Sequence, residues 1–277
     1  MEIKFDKVSY ESSHASLKNV SFTINDNSIS AFVGKSGSGK SIILELINML
    51  KFPTSGIIKI GNHTISSKKD LKKLSYLRND MGILFAQASD NFFMDTVRAE
   101  MEYALNNFNY SKSEKDKRIK EAFDMVGLDL QILDLNPFNL SFGEQRKLAI
   151  AIIIAFEPEL ILLDEPTIGL DSKARRQLIQ TLRMLKKQNK HTIVIVSDDT
   201  DMLLEVADKV YVLSSGKVVK QGDKFKIFSD YDMLNKYNIN VPKLSLFSHI
   251  VMERKEKDIG VYDDINDLIK DVYRNVK

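Results

Sequence analysis

The residues best suited to chemistry lie together at 34–41, where Gly34, Lys35, Ser36, Gly37, Ser38, Gly39, Lys40 and Ser41 have the spacing of a phosphate-binding loop. Glycines let successive backbone N–H groups turn toward phosphate oxygens, and a helix opening at Ser41 and Ile42 adds partial positive charge at its N-terminus. Lys40 offers an ammonium to the outer phosphates, and the Ser41 hydroxyl is a hard oxygen ligand suited to Mg²⁺. The plain alternative is a glycine-rich turn capped by serine. Its position between an apolar strand and an apolar-faced helix favours the phosphate reading.

A second cluster follows the apolar run Leu160 to Leu163. Asp164 and Glu165 stand there at the carboxyl end of a strand, where doubly wound sheets place ligand groups. Asp164 is the candidate for the Mg²⁺ shell, and Glu165 for polarising a water that attacks the γ-phosphate. Alone, such a pair is as often a solvated turn. Beside a phosphate loop, it reads as the second half of a nucleoside triphosphate site.

These groups need a rigid frame, and the pattern of apolar residues supplies one. Residues 2–33 alternate apolar and polar positions with turn-formers at 25–27, which predicts antiparallel strands leading into Ile29–Val33. Residues 41–50 carry apolar side chains at 42, 43, 46, 47 and 50, one face of a helix. From about 68 to 156 the signals are mainly helical and charged, with a loop around 86–95. Leu160–Leu163 and Thr192–Val196 are apolar on both faces, as buried parallel strands are, and the helical run 172–189 between them makes the crossover. A further strand pair is expected around 211–213 and 217–219, turning at Ser214, Ser215 and Gly216. The expected class is therefore α/β: a phosphate-loop NTPase core over 1–222, with an antiparallel β subdomain and an inserted helical subdomain at about 86–156. A C-terminal helical extension follows at 223–277.

Composition removes several functions. The chain has 277 residues, 43% hydrophobic and 28% charged, enough for one large core with an appendage. Net charge is +2 with acids and bases interspersed, so the basic footprint of a nucleic-acid binder is missing. With no cysteine there are no disulfides, thiolate metal sites or cysteine nucleophiles, and the composition suits a reducing cytoplasm. The longest apolar stretch, 148–156, is far below the roughly 20 residues that cross a bilayer, and the N-terminus alternates like a strand rather than reading as a signal peptide. The lysine-rich runs at 68–73 and 112–120 read as solvated faces.

A third motif points to one family. Leu140, Ser141, Phe142, Gly143, Glu144, Gln145, Arg146 and Lys147 open a helix just before the acidic pair, and this resembles the signature of ABC ATPases. Gly169, Leu170 and Asp171 look like the D-loop of that family. The resemblance implies a dimer in which the signature of one subunit closes over the ATP held by the other. Ser141, Phe142, Gly143, Glu144 and Asp171 would then contact the nucleotide of a second ABC ATPase subunit. It covers roughly residues 3–222 with motif order intact, and the segment beyond resembles the C-terminal extension of the ATPases of energy-coupling factor (ECF) transporters. In that group two ATPases, often non-identical, sit beneath integral membrane subunits and import vitamins or metal ions. The resemblance places the chain peripherally on the cytoplasmic face of the cell membrane, with ATP and Mg²⁺ as its ligands. An exporter ATPase is the nearest alternative, followed by an ATP-binding subunit with little hydrolysis of its own. A soluble ABC protein of translation or DNA repair would carry two cassettes or a long coiled coil, and the chain has neither.

Three nucleotide-side positions depart from the family pattern. The aromatic that stacks on adenine falls on Ser12, with Tyr10 two residues earlier as a partial substitute. The metal-ligating glutamine expected directly after Phe85 is Ala86, and Gln87 comes one residue later, where a local bulge would be needed to restore it. The switch histidine is replaced by Asp198, which cannot donate a hydrogen bond to a γ-phosphate when ionised and adds negative charge near Asp164 and Glu165. The expectation is an asymmetric heterodimer in which this chain's own site is the weaker one. The loop 86–97, with Phe92 and Phe93, is the candidate membrane-partner contact. An equally good reading puts both phenylalanines in the core of the helical subdomain.

Overall fold

In the computed structural model, which describes residues 1–12, 16–188, 190–255 and 259–275, two sheets share the chain. β1 (Ile3–Glu11), β2 (Ser16–Ile24), β4 (Ser55–Ile60) and β5 (His63–Ile65) form an antiparallel sheet in the order β2-β1-β4-β5. The second sheet runs β10-β9-β3-β8-β7-β6 and contains β3 (Ile29–Val33), β6 (Met81–Leu84), β7 (Leu160–Asp164), β8 (Thr192–Val196), β9 (Lys209–Ser214) and β10 (Lys217–Asp223). Its strands pair in parallel from β9 through β3, β8 and β7 to β6, and only the β9–β10 hairpin is antiparallel.

The period-2 geometry of the central strands explains why they are apolar throughout. Ile161 and Leu163 of β7 and Ile193 and Ile195 of β8 enter one hydrophobic cluster, while Leu160, Leu162, Val194 and Val196 enter another. The first cluster is built with α3 (Val97–Asn106), α4 (Lys112–Val126), α5 (Phe142–Ala155), α6 (Ser172–Lys187) and α7 (Thr200–Val206). The second joins the opposite face to α1 (Lys40–Ile47) and the antiparallel sheet. Every side chain of these strands is thereby taken from water, and the strand ends are held as a fixed rim.

The structure differs from the sequence expectation in several elements. α1 ends at Ile47 rather than near residue 50, and α6 ends at Lys187; Asn189, the expected end of that helix, lies outside the described residues. Strands β4, β5 and β6 were not expected. β6 has only four residues, too few for a period to emerge, and it sits at the sheet edge under α5. Gly82 makes that approach possible, because a Cβ there would lie 2.3 Å from Cγ2 of Ile153. The lysine-rich run at 68–73 forms the short helix α2 (Lys68–Lys73), which buries none of its residues and starts in a capping box between Ser67 and Asp70.

Beyond β10 the chain forms α8 (Lys224–Phe228), α9 (Tyr231–Lys236), α10 (Lys243–Lys255) and α11 (Ile265–Asn275). The extension is anchored rather than loosely tethered. Ile227, Phe228, Leu234 and Ile239 enter the helical-side core, and Lys224 pairs with Asp263 at 2.5 Å.

Candidate functional site

The phosphate loop lies between β3 and α1, as its motif requires. Gly39 precedes the first helical residue with φ 104°, a region open to glycine, and a Cβ there would meet Leu17 Cδ2 at 2.8 Å and the Ser16 carbonyl oxygen at 3.2 Å. The position therefore needs glycine twice over, for backbone geometry and for space against β2. Lys40 is buried and its ammonium folds back on the loop to donate to the Gly34 carbonyl.

The carboxyl ends of β7 and β8 face this loop across a cavity of about 490 Å³. Ser36, Gly37, Gly39, Lys40, Ser41 and Ile42 form one wall, and Asp164, Glu165, Thr167, Asp198 and Asp199 the other. Asp164 is buried, which pushes its carboxyl above the ordinary aspartate value, while a hydrogen bond from Ser41 and the nearby Lys40 charge pull the other way. Ser41 and Asp164 are thus in direct contact, joining the ends of two different strand-to-helix turns.

Glu165 is held more tightly. Its backbone is left-handed (φ 48°), and its N–H donates to the Val196 carbonyl at 2.8 Å. A side chain in that conformation costs about 1 kcal/mol relative to the right-handed region. Its carboxylate accepts from Ser197 Oγ at 3.0 Å and from the Asp198 N–H at 3.1 and 3.2 Å. Burial raises its pKa above the usual glutamate value and the Asp198 charge adds to this, while the hydrogen bonds and Lys40 oppose it. The result is a fixed, more basic carboxylate at the cavity wall.

Asp198 reaches back to the loop, its Oδ1 lying 3.0 Å from Lys40 Nζ. Next to it, Asp199 takes a bidentate hydrogen bond from Arg175 at 2.7 and 2.8 Å and caps α7 by accepting from the Met202 N–H. A second, smaller cavity of about 130 Å³ adjoins the first, lined by Gly34, Lys35, Ser36, Ser197 and Asp198 together with Asn238 and Asn240 of the extension. Ser38, the remaining loop residue, is buried outside both linings.

Two expected nucleotide-side residues fall outside the cavity lining. Tyr10 lies beyond an irregularity in the β1–β2 pairing between Val8 and Tyr10, packs against the core under the antiparallel sheet, and has Lys51 Nζ 5.3 Å from its ring centroid. After β6 it is Ala86 that lines the cavity, while Gln87 begins a short 3₁₀ turn at 88–91 and is exposed. Phe93 is exposed, whereas Phe92 is buried in the helical-side core.

The signature residues sit at the N-terminus of α5, away from this cavity. Ser141 and Glu144 form a capping box: Ser141 Oγ donates to Glu144 Oε2 at 2.6 Å, and the Ser141 N–H donates to the same oxygen at 2.9 Å. These bonds hold the Glu144 carboxyl below its usual range. Phe142 is exposed and packs on Gly169, and a Cβ on Gly143 would lie 3.2 Å from the Gly169 carbonyl oxygen. Asp171 caps α6 by accepting from the Ala174 N–H at 2.7 Å. Phe142 and Gly143 thus pack directly against Gly169, and neither the signature residues nor residues 169–171 line the cavity at the phosphate loop.

Several contributors escaped the sequence reading. Ser197 is fully buried beside Glu165, and its only sequence signal is a polar residue ending an apolar strand. Arg146 is fully buried, although next to Lys147 it looks like part of a solvated basic pair. Asn240 donates from the extension to the Asp198 carbonyl at 3.4 Å, a contact separated by 42 residues that no local pattern announces.

Known proteins resemble this chain in sequence and in fold. The ABC transporter family model matches residues 17–168. The energy-coupling factor transporter ATP-binding protein EcfA2 of Ligilactobacillus salivarius is 38% identical over 241 residues, covering 87% of this chain and 83% of that protein. Its counterpart in Clostridium perfringens is 36% identical over 250 residues, covering 90% and 86%. Among solved structures, a post-hydrolysis dimer of the ATP-binding cassette MJ0796 bound to ADP and Pi superposes with a TM-score of 0.72 at 30% identity, covering 80% of this chain and 98% of that one. The structure of cbiO1 from Clostridium perfringens, part of the ABC transporter complex cbiONQ, gives 0.71 at 28% identity, covering 89% and 98%. The chain therefore belongs to the ABC transporter family, among the energy-coupling factor transporter ATP-binding proteins.

Proposed function

We propose that this chain is the ATP-binding and ATP-hydrolysing subunit that powers an ECF-type importer of a vitamin or metal ion, working with a second, paralogous ATPase beneath integral membrane subunits. The observation that carries the reading is the convergence of Lys40, Ser41, Asp164 and Glu165 on one cavity. No helix among the described residues is long and apolar enough to cross a membrane, which suits a peripheral subunit on the cytoplasmic face.

The donor set fits Mg²⁺ delivered with a nucleotide. Ser41 and Asp164 offer two hard oxygens in contact with each other, and among the described residues no group of three or more His, Asp or Glu could hold a metal without further ligands. Bound there, Mg²⁺ would neutralise charge developing on the phosphate oxygens. Lys40 and the loop amides orient the phosphates. Glu165, made more basic by burial and fixed by Ser197 and the Asp198 N–H, accepts a proton from the attacking water. Ser141, Phe142, Gly143 and Glu144 present the N-terminus of α5, and Asp171 that of α6, to the partner's nucleotide.

Within the pair this chain would supply the slower site. Ala86 at the cavity wall has no side-chain ligand for a metal, and Asp198 brings a carboxylate where a hydrogen-bond donor is wanted. The same two residues favour, as a second reading, an ATP-binding subunit with little hydrolysis of its own. Calorimetry on the full chain tests the core of the proposal. Mg-dependent ATP uptake that disappears in Lys40→Ala, together with co-purification from membranes of a second ATPase and an integral subunit, is the expected result. Uptake unchanged by Lys40→Ala would refute it.

A further inference from the structure

We infer that Asp198 sets the nucleotide preference of this site, lowering the advantage of a nucleoside triphosphate over a diphosphate. The inference deepens the reading of the cavity as an ATP site and rests on it. An ammonium has three donors. In Lys40 one donates to the Gly34 carbonyl, and the ammonium is also ion-paired with Asp198 Oδ1 at 3.0 Å. This is the group on which a phosphate loop relies for the outer phosphates. A diphosphate can be held largely by the loop amides with Asp198 left in place. A γ-phosphate must either displace the Asp198 carboxylate from Lys40 or sit beside it as a second anion.

Movement of the backbone does not relieve this competition easily. The Asp198 N–H is committed to Glu165, and its carbonyl accepts from the Thr200 N–H at 3.1 Å and from Asn240 Nδ2 at 3.4 Å. Asn240 belongs to the C-terminal extension, which is fastened to α7 again where the Lys243 N–H donates to Asp201 at 2.7 Å. The extension thus helps hold the carboxylate over the loop. Only side-chain rotation of Asp198, which is 55% exposed, remains to clear Lys40. Lys35, lining the adjoining cavity, is the other cation beside Asp198 there.

The test is calorimetric titration of the full-length chain with Mg-ATP and with Mg-ADP, comparing the unaltered protein with Asp198→Asn. The substitution keeps shape and removes charge at an exposed side chain. The expected result is an ATP-over-ADP affinity ratio that rises by about tenfold, the scale of one neighbouring charge. Glu121→Gln, which removes an exposed charge on α4 outside both cavities, should leave the ratio unaltered. An unchanged ratio in Asp198→Asn, an equal rise in Glu121→Gln, or loss of both nucleotides in Asp198→Asn would overturn the inference while the ATP-site reading stands. Failure of the unaltered chain to bind either nucleotide would sink both.

Discussion

The guanidinium of Arg146, near the start of the signature helix, donates to the Ala86 carbonyl at 2.6 Å and to the Phe85 carbonyl at 3.0 Å. One fully buried side chain therefore ties α5 to the segment that leaves β6 for the cavity wall. Burial lowers its pKa below the usual arginine value, and the charges of Asp164 and Glu165 oppose that shift. Because two carbonyls would lose a charged donor, Arg146→Met is expected to destabilise the chain by about 3 kcal/mol in denaturant unfolding. A change below about 1 kcal/mol would show that neighbouring groups satisfy those carbonyls without it.

Asymmetry between the two sites of a reconstituted ATPase pair has a direct readout. Glu165→Gln here should remove only a minor share of total ATP turnover, whereas the same change at the partner's equivalent glutamate should remove most of it. Equal losses would exclude the asymmetric arrangement.

Restoring a donor at the switch position should speed this site. Asp198→His is expected to raise turnover at the phosphate loop of this chain about a hundredfold, the lower end of the range of roughly 10²–10³ for a single hydrogen-bond donor aimed at developing charge. It can be measured with the partner's own site inactivated. No change, or a fall, would argue against repulsion by Asp198 as the cause of slow turnover.

The Arg175–Asp199 pair gives a pH signature. Burial pushes the Asp199 carboxyl up, but the hydrogen bonds from Arg175 and Met202 outweigh it and hold the folded-state pKa below the ordinary 3.8. A depressed acid pKa contributes stability above the unfolded value that is lost as pH falls through the folded one. Replacing Arg175 by Met leaves burial less opposed, so acid unfolding should begin at higher pH, with about 2 kcal/mol lost at neutral pH. Acid titrations of the two proteins monitored by circular dichroism would show this, and superimposable curves would contradict it.

The signature helix can be probed through its cap. Ser141→Ala removes the hydroxyl that accepts from the Glu144 N–H and donates to the Glu144 carboxylate, so about 1 kcal/mol of helix stability should disappear. If Ser141 also serves the partner's nucleotide, turnover at the partner's site falls by more than this loss of stability explains. A stability change alone would confine Ser141 to capping.

Local chemistry was legible in the sequence wherever short-range rules govern it. The phosphate loop needs glycines and a lysine at set intervals along one turn, β7 and β8 had to be apolar on both faces to lie inside a parallel sheet, and Asp164 and Glu165 had to follow β7 at its carboxyl end. Those relations span a few residues and leave a pattern. The tertiary structure alone decided which side chains meet across the chain: Asp198 on Lys40, Ser197 against Glu165, Arg146 under Ala86, and Asn240 holding Asp198 from the extension. It also decided that Ala86 rather than Gln87 faces the cavity, because strand β6 ends at Leu84 and the chain leaves the sheet from there. Contacts of this kind depend on where strand ends and helix faces come to rest after the apolar surfaces have packed, and spacing along one chain carries no record of that.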